Sequence, residues 1–229
     1  HQKAKYEDIG NSLDQFNKEN LNTSLVRYYD GGSPTALWAV RSLGINPSDG
    51  RELFLTKEGT YTFEYDTEDE VVVGNSEPKL EGVLGSTLYW KGFSFSLYFR
   101  YSLGADVFTE ATYNKVENIS LAGLKSNQDK RALHDRWQKP GDHAKFKGIS
   151  LTETTPISSR FVLRENYIKA ESISVGYDFE SQAVQKLGIQ SLRLQANTTD
   201  LFRISSIKEE RGIEYPFARS FSFSLQVTF

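Results

Sequence analysis

Three histidines, His1, His134 and His143, are the residues of this chain whose ordinary pKa suits base catalysis near neutral pH. A histidine base needs a nucleophile or a metal beside it. His134 is followed by Asp135, but the chain carries neither a Gly-x-Ser-x-Gly elbow nor a His-Glu-x-x-His pair. Cysteine is absent, which removes thiol nucleophiles, disulfides and thiolate metal sites. The acidic run "EYDTEDE" lacks the spaced Asp or Asn ligands and the central glycine of a calcium loop, and reads as a solvated loop. The expectation is a protein that is not an enzyme, with no catalytic residue, metal or cofactor.

The remaining candidates are polar residues that alternate with apolar ones. In the closing "RSFSFSLQVTF", Phe221, Phe223, Leu225, Val227 and Phe229 alternate with Ser222, Ser224, Gln226 and Thr228. That is the period of a strand with one apolar and one wet face. "GFSFSLYFRYSLG" sets Phe93, Phe95, Leu97, Phe99 and Tyr101 against Tyr98 and Arg100, and later segments place Asp178, Arg193, Gln195 and Asn197 opposite apolar rows. Small hydroxyl, amide and guanidinium groups at such positions make and break no bonds. They wet a surface along which a polar solute can move. Tyr113, Trp137 and Tyr215 fall in loops, where aromatic rings could stack on sugar or peptide or else pack loop against loop.

These side chains need elements to hold them. Residues 1–81 are polar and interrupted, with Ile9, Leu13 and Phe16 spaced for one face of a short helix, and a hairpin pairing Glu52–Thr56 with Thr60–Tyr65. Residues 82–104 read as a hairpin turning at Trp90-Lys91-Gly92, although the first strand alternates too poorly for its faces to be assigned. Residues 105–162 are a long polar loop with a helix near Tyr113 to Leu121, and 163–229 carry three more strands. In "NYIKAESISVGYDF" the apolar positions switch from even to odd. The switch predicts a bulge near Glu171 and Ser172, or a strand that begins only there.

Only 38% of the residues are apolar, and no window approaches the roughly 20 consecutive apolar residues of a membrane helix. A membrane β-barrel stays open, because alternation dilutes its hydropathy. A net charge of −3 with both signs interspersed gives no basic footprint for nucleic acid. Short connections at 90–92 and 180–188 alternate with long ones at 105–162 and 203–218. Short periplasmic turns and long outer loops give that asymmetry in outer-membrane barrels, although a soluble carbohydrate-binding β-sandwich also alternates and has uneven loops.

Five blocks in order, "WAVRSLGINPSDGRELF", "RWQKPGD", "SVGYDF", "KLGIQSLRLQANTTDLF" and "YPFARSFSFSLQVTF", resemble the C-terminal part of SusC-like transporters, the TonB-dependent outer-membrane importers of Bacteroidetes. The resemblance implies an all-β fold, the C-terminal section of a large antiparallel transmembrane barrel of roughly 22 strands. It divides the chain into an extracellular loop region (1–81), a barrel hairpin (82–104), an extracellular loop (105–162) and three C-terminal barrel strands (163–229). The implied activity is import of a nutrient, an oligosaccharide or oligopeptide, across the bacterial outer membrane. The implied partners are a SusD-like surface lipoprotein, the remaining barrel strands and plug, TonB through an N-terminal part not contained in this chain, and outer-membrane lipid. Under this reading Tyr98, Arg100, Asp178, Arg193, Gln195, Asn197, Ser222, Ser224 and Gln226 face the lumen. Phe229 is the aromatic end that barrel-assembly machinery recognises, and the chain is expected to be truncated at His1 and complete at Phe229.

Overall fold

The computed structural model describes residues 4–10, 12–150, 152–179, 186, 188–207 and 219–229. Two compact units divide the chain, His1–Glu77 with Ala105–Arg164, and Pro78–Gly104 with Glu165–Phe229.

The first unit opens with α1 (Asp14–Glu19), close to the short helix expected from the sequence. A four-stranded antiparallel sheet follows, in the order β3-β2-β1-β4, from β1 (Ala36–Ile45), β2 (Glu52–Leu55), β3 (Tyr61–Thr62) and β4 (Glu70–Asn75). β2 and β3 are the expected hairpin, paired at Phe54↔Thr62 and Leu55↔Tyr61. β4 departs from the solvated loop expected of the acidic run, whose last residue, Glu70, is its first. Glu70 is buried, and Arg27 closes on it with Nε–Oε2 3.0 Å and Nη2–Oε1 2.7 Å. The expected helix near Tyr113 is a helical turn over Glu110–Thr112 that widens into a π-turn at Tyr113–Glu117.

Two adjoining clusters form the core of this unit. Leu25, Leu37, Ala39 and Ile157 make one, and Val116, Ala132, Phe146 and Phe161 the other, with Phe108 and Tyr113 packed against both. Tyr113 meets Phe161 edge-on at 5.0 Å between ring centroids, a favoured aromatic geometry.

The second unit is built from β5 (Leu80–Trp90), β6 (Phe93–Phe108), β7 (Val162–Phe179), β8 (Ser191–Thr199), β9 (Arg203–Ser205) and β10 (Phe221–Thr228). The strand order is β10-β8-β7-β6-β5, with β9 paired to β7. Apart from the short β9, these are neighbours in chain order, as in an up-and-down barrel wall, and among the described residues the order ends at β5 and β10. β5 and β6 turn through Lys91 (φ 47°) and Gly92 (φ 83°), the two left-handed residues that a primed two-residue hairpin requires. β5, of 11 residues, and β8, of 9, match the roughly 9–11 that a tilted strand needs to cross a bilayer.

Register resolves the faces that alternation left open in β5. Trp90, Leu88 and Leu84 stand opposite Phe93, Phe95 and Phe99, so they share the apolar face, while Thr87 and Gly85 stand opposite Ser96 and Tyr98. The discontinuity expected near Glu171 and Ser172 is present, but its extra residue lies on the partner side. Lys169 pairs with Arg203, Ala170 N–H donates to Phe202 O, and Ser172 pairs with Thr199, so three partner residues are passed where β7 advances two. Asp200, at φ 49°, lies within that step. β7 itself runs unbroken from Val162, so it does not begin at the switch.

Among the described residues of these strands the buried apolar side chains are Ala105 and Ala170. Phe223 is 77% exposed and Leu225 64%. A soluble sandwich hides such a row against a second sheet. This sheet leaves it open.

Candidate functional site

The polar face of the second unit is assembled by strand pairing. Asp178, Arg193 and Gln226 form one cross-strand row, Gly176, Gln195 and Ser224 the next, and Ser174, Asn197 and Ser222 a third. The alternate rows are apolar: Phe179–Leu192–Val227, Tyr177–Leu194–Leu225 and Val175–Ala196–Phe223. The sequence candidates on β7, β8 and β10 therefore share one face, as expected from their alternation.

Hydrogen bonds link this face laterally. Arg193 reaches Asp178 (Nη1–Oδ2 3.3 Å) and donates to Ser94 Oγ at 3.1 Å. Gln195 Nε2 donates to Ser174 Oγ at 3.0 Å and Asn197 Oδ1 at 2.8 Å. Arg100 forms a two-pronged pair with Glu171, both distances 2.9 Å. Tyr98 lies across Gly85 of β5, in the space a larger side chain would fill. Sequence reasoning passed over Ser94, Ser174, Glu171, Glu165 and Arg203. The last two form a pair at 2.6 Å. Their common signal is an opposite charge or a hydroxyl within reach on a nearby strand, which becomes visible only once the strands are paired.

The loop aromatics part company. Tyr113 is half-buried, and its hydroxyl donates to Thr155 O at 2.8 Å, so it serves the core rather than an exposed platform. Burial raises its phenol above the ordinary value. Trp137 is anchored: its Nε1–H donates to Pro47 O at 3.0 Å, and its ring lies where a Cβ on Gly50 would come within 2.5 Å. It lines a cleft of about 420 Å³ together with Asn118, Ser120, Lys147 and Ser150. Tyr215 lies outside the described residues. His134 and His143 are exposed, and among the described residues no group of three or more histidine or acidic side chains is placed to hold a metal. Phe229 is 79% exposed.

Beside the Trp137 cleft is a buried charge cluster. Arg160 Nη2 contacts Glu52 Oε2 at 2.9 Å and Glu117 Oε1 at 3.0 Å. Ser158 Oγ donates to Glu52 Oε1 at 2.6 Å, and Thr155 Oγ1 to Glu117 Oε1 at 2.9 Å. This cluster ties β2, the π-turn and residues 155–160 together. Arg160 is held above the ordinary guanidinium value by the two carboxylates, which outweigh the opposing effect of its burial.

No family model matches the chain. It is 24% identical over 161 residues to "TonB-dependent receptor P39" of Formosa agariphila, covering 69% of this chain and 15% of that protein. It is 25% identical over 173 residues to "TonB-dependent receptor P3" of the same organism, covering 76% and 16%. Among solved structures it is similar to the RagAB peptide transporter, with TM-score 0.71 and 17% identity over 88% of this chain and 24% of that one. The RagAB peptide importer in its open-open state gives TM-score 0.70 at 16% identity, covering 88% and 23%. The chain thus spans about a sixth of the length of the curated relatives it matches.

Proposed function

We propose that this chain, a barrel section of a TonB-dependent outer-membrane receptor of the SusC-like kind, supplies wall and lip to an energy-coupled nutrient importer. The observation that carries the reading is the two-faced sheet of the second unit. One face is a ladder of serine, glutamine, asparagine and paired charges, and the other is an uncovered row of Phe, Leu and Val. In a barrel, the first wets the lumen and the second meets lipid. Tyr98, Arg100, Asp178, Arg193, Gln195, Asn197, Ser222, Ser224 and Gln226 are then lumen-facing.

The open edges at β5 and β10 agree with this role, since isolated edges invite pairing with further strands. We assign both edges, β5 and β10, to pairing with further strands of the same barrel. The long connections, including the Trp137 cleft, lie on the extracellular side, where a SusD-like lipoprotein would cover them. TonB and the plug engage the part of the protein outside this chain. The substrate is an oligosaccharide or an oligopeptide.

The experiment is purification of the complex from native membranes, with mass spectrometry of everything that co-purifies. A surface lipoprotein, the remaining barrel sequence and a bound oligomer are expected. A monodisperse chain of residues 1–229 that stays soluble without detergent would instead favour the carbohydrate-binding sandwich.

A further inference from the structure

In the first unit a cleft of about 880 Å³ is bordered by α1 on one side and residues 66–70 on the other. That volume lies within the range of small-ligand sites, about 300–1,000 Å³. It contains an aromatic pair, Tyr29 and Trp38, with ring centroids 5.4 Å apart and planes inclined by 58°. Neither ring belongs to the two core clusters, and Tyr29 is 42% exposed.

The walls are fixed independently of any ligand. Asn17, 3% exposed, donates to Tyr28 O at 2.8 Å and accepts Tyr28 N–H at 2.9 Å, which pins α1 to the segment carrying Tyr29. On the other side the Arg27–Glu70 pair fixes the end of the turn, and Lys57 N–H donates to Asp69 Oδ1 at 2.8 Å. An accessible aromatic pair in a cavity with locked walls is a prepared platform, and ordering it costs a ligand little.

The sign of the rim decides what the platform takes. Asp14, Asp66, Glu68 and Asp69 line it against Lys18 and Lys57, while Arg27 neutralises Glu70. Aromatic faces attract cations, and carboxylates strengthen a cation's hydrogen bonds. An anionic ligand meets repulsion at the same rim. A bare ammonium would leave most of the volume empty, whereas a long cationic side chain with its flanking backbone would fill it.

We propose that this cleft binds the lysine or arginine side chain of a peptide. The inference deepens the import reading, on which it rests for the source of the peptide.

The test is direct binding to the intact receptor in detergent, read by fluorescence anisotropy. The probe is a fluorescein-labelled, end-blocked Ala-Ala-Lys-Ala-Ala, compared with its norleucine and glutamate counterparts. Loss of the cation is expected to weaken binding about tenfold, the scale of a partly desolvated cation–π contact joined to a carboxylate. Tyr29→Ala and Glu68→Gln, both at exposed positions, should each erode the lysine preference, and Trp38→Ala should abolish it. Equal affinity for the lysine and norleucine peptides would overturn the assignment. So would a lysine preference that survives Tyr29→Ala and Glu68→Gln together. Nutrient uptake by the receptor without any lysine preference would refute the cleft alone. A receptor that takes up no nutrient yet retains the preference would refute the import reading and leave the cleft standing.

Discussion

Removing Arg160 tests how the first unit holds its loops. The side chain of Arg160 is 11% exposed, and its partners Glu52 and Glu117 are 1% and 0% exposed. In Arg160→Leu, two buried carboxylates lose four guanidinium contacts of 2.9–3.2 Å and, among the described residues, keep the hydroxyl hydrogen bonds of Ser158 and Thr155. Removing one partner of a buried ion pair costs about 3–5 kcal/mol, because the remaining charge stays desolvated. Amide exchange over β2 and the π-turn in the intact receptor should therefore quicken roughly 150- to 5,000-fold, up to the limit set by global opening. Adding Glu52→Gln and Glu117→Gln to Arg160→Leu should restore much of the protection at neutral pH. An Arg160→Leu variant that exchanges within about fivefold of the parent would refute the reasoning.

Two further outcomes follow from the first unit. Gly50 combines φ 73° with the Trp137 ring where a Cβ would stand, so Gly50→Ala should cost on the order of 1–3 kcal/mol and displace the indole, seen as altered tryptophan emission. Trp137→Ala should relieve the clash but not the backbone strain. Burial raises the Glu70 carboxyl despite the opposing pull of Arg27. The folded state thus holds that proton more tightly than the unfolded chain, and this group's contribution is greatest below the unfolded value, about 4.3, and declines as pH rises through the higher folded one. Thermal melts of the receptor across that interval should show the decline, and Glu70→Gln should flatten it. A parent and variant with the same slope would contradict the assignment.

The second unit was legible in the sequence because alternation survives wherever one face is lipid-like and the other wet. β6, β8 and β10 keep the period without a break, and their polar residues fall on one face when the strands pair. β5 was unreadable because Gly82, Gly85 and Ser86 dilute it, and register with β6 supplies what composition lacks. The first unit was less legible for a different reason. Its β4 begins inside an acidic run, and Glu70 is buried only because Arg27, 43 positions earlier, folds back onto it. The Arg160 cluster likewise joins residues 108 and 43 positions apart. Local pattern carries no trace of such pairings. The positions of Tyr113 and Trp137 were visible as loop aromatics, but their partners Thr155, Pro47 and Gly50 emerge only from the fold.

The central claim is that the two faces of β10 meet different solvents. The chain contains no cysteine, so within it Phe223→Cys and Ser224→Cys each provide a single site for a spin label in the reconstituted receptor. A label at 223 should be relaxed by oxygen dissolved in the bilayer and shielded from a water-soluble nickel chelate, while a label at 224 should show the reverse. Nickel accessibility at 223 with oxygen accessibility at 224, or the same response at both, would contradict the account.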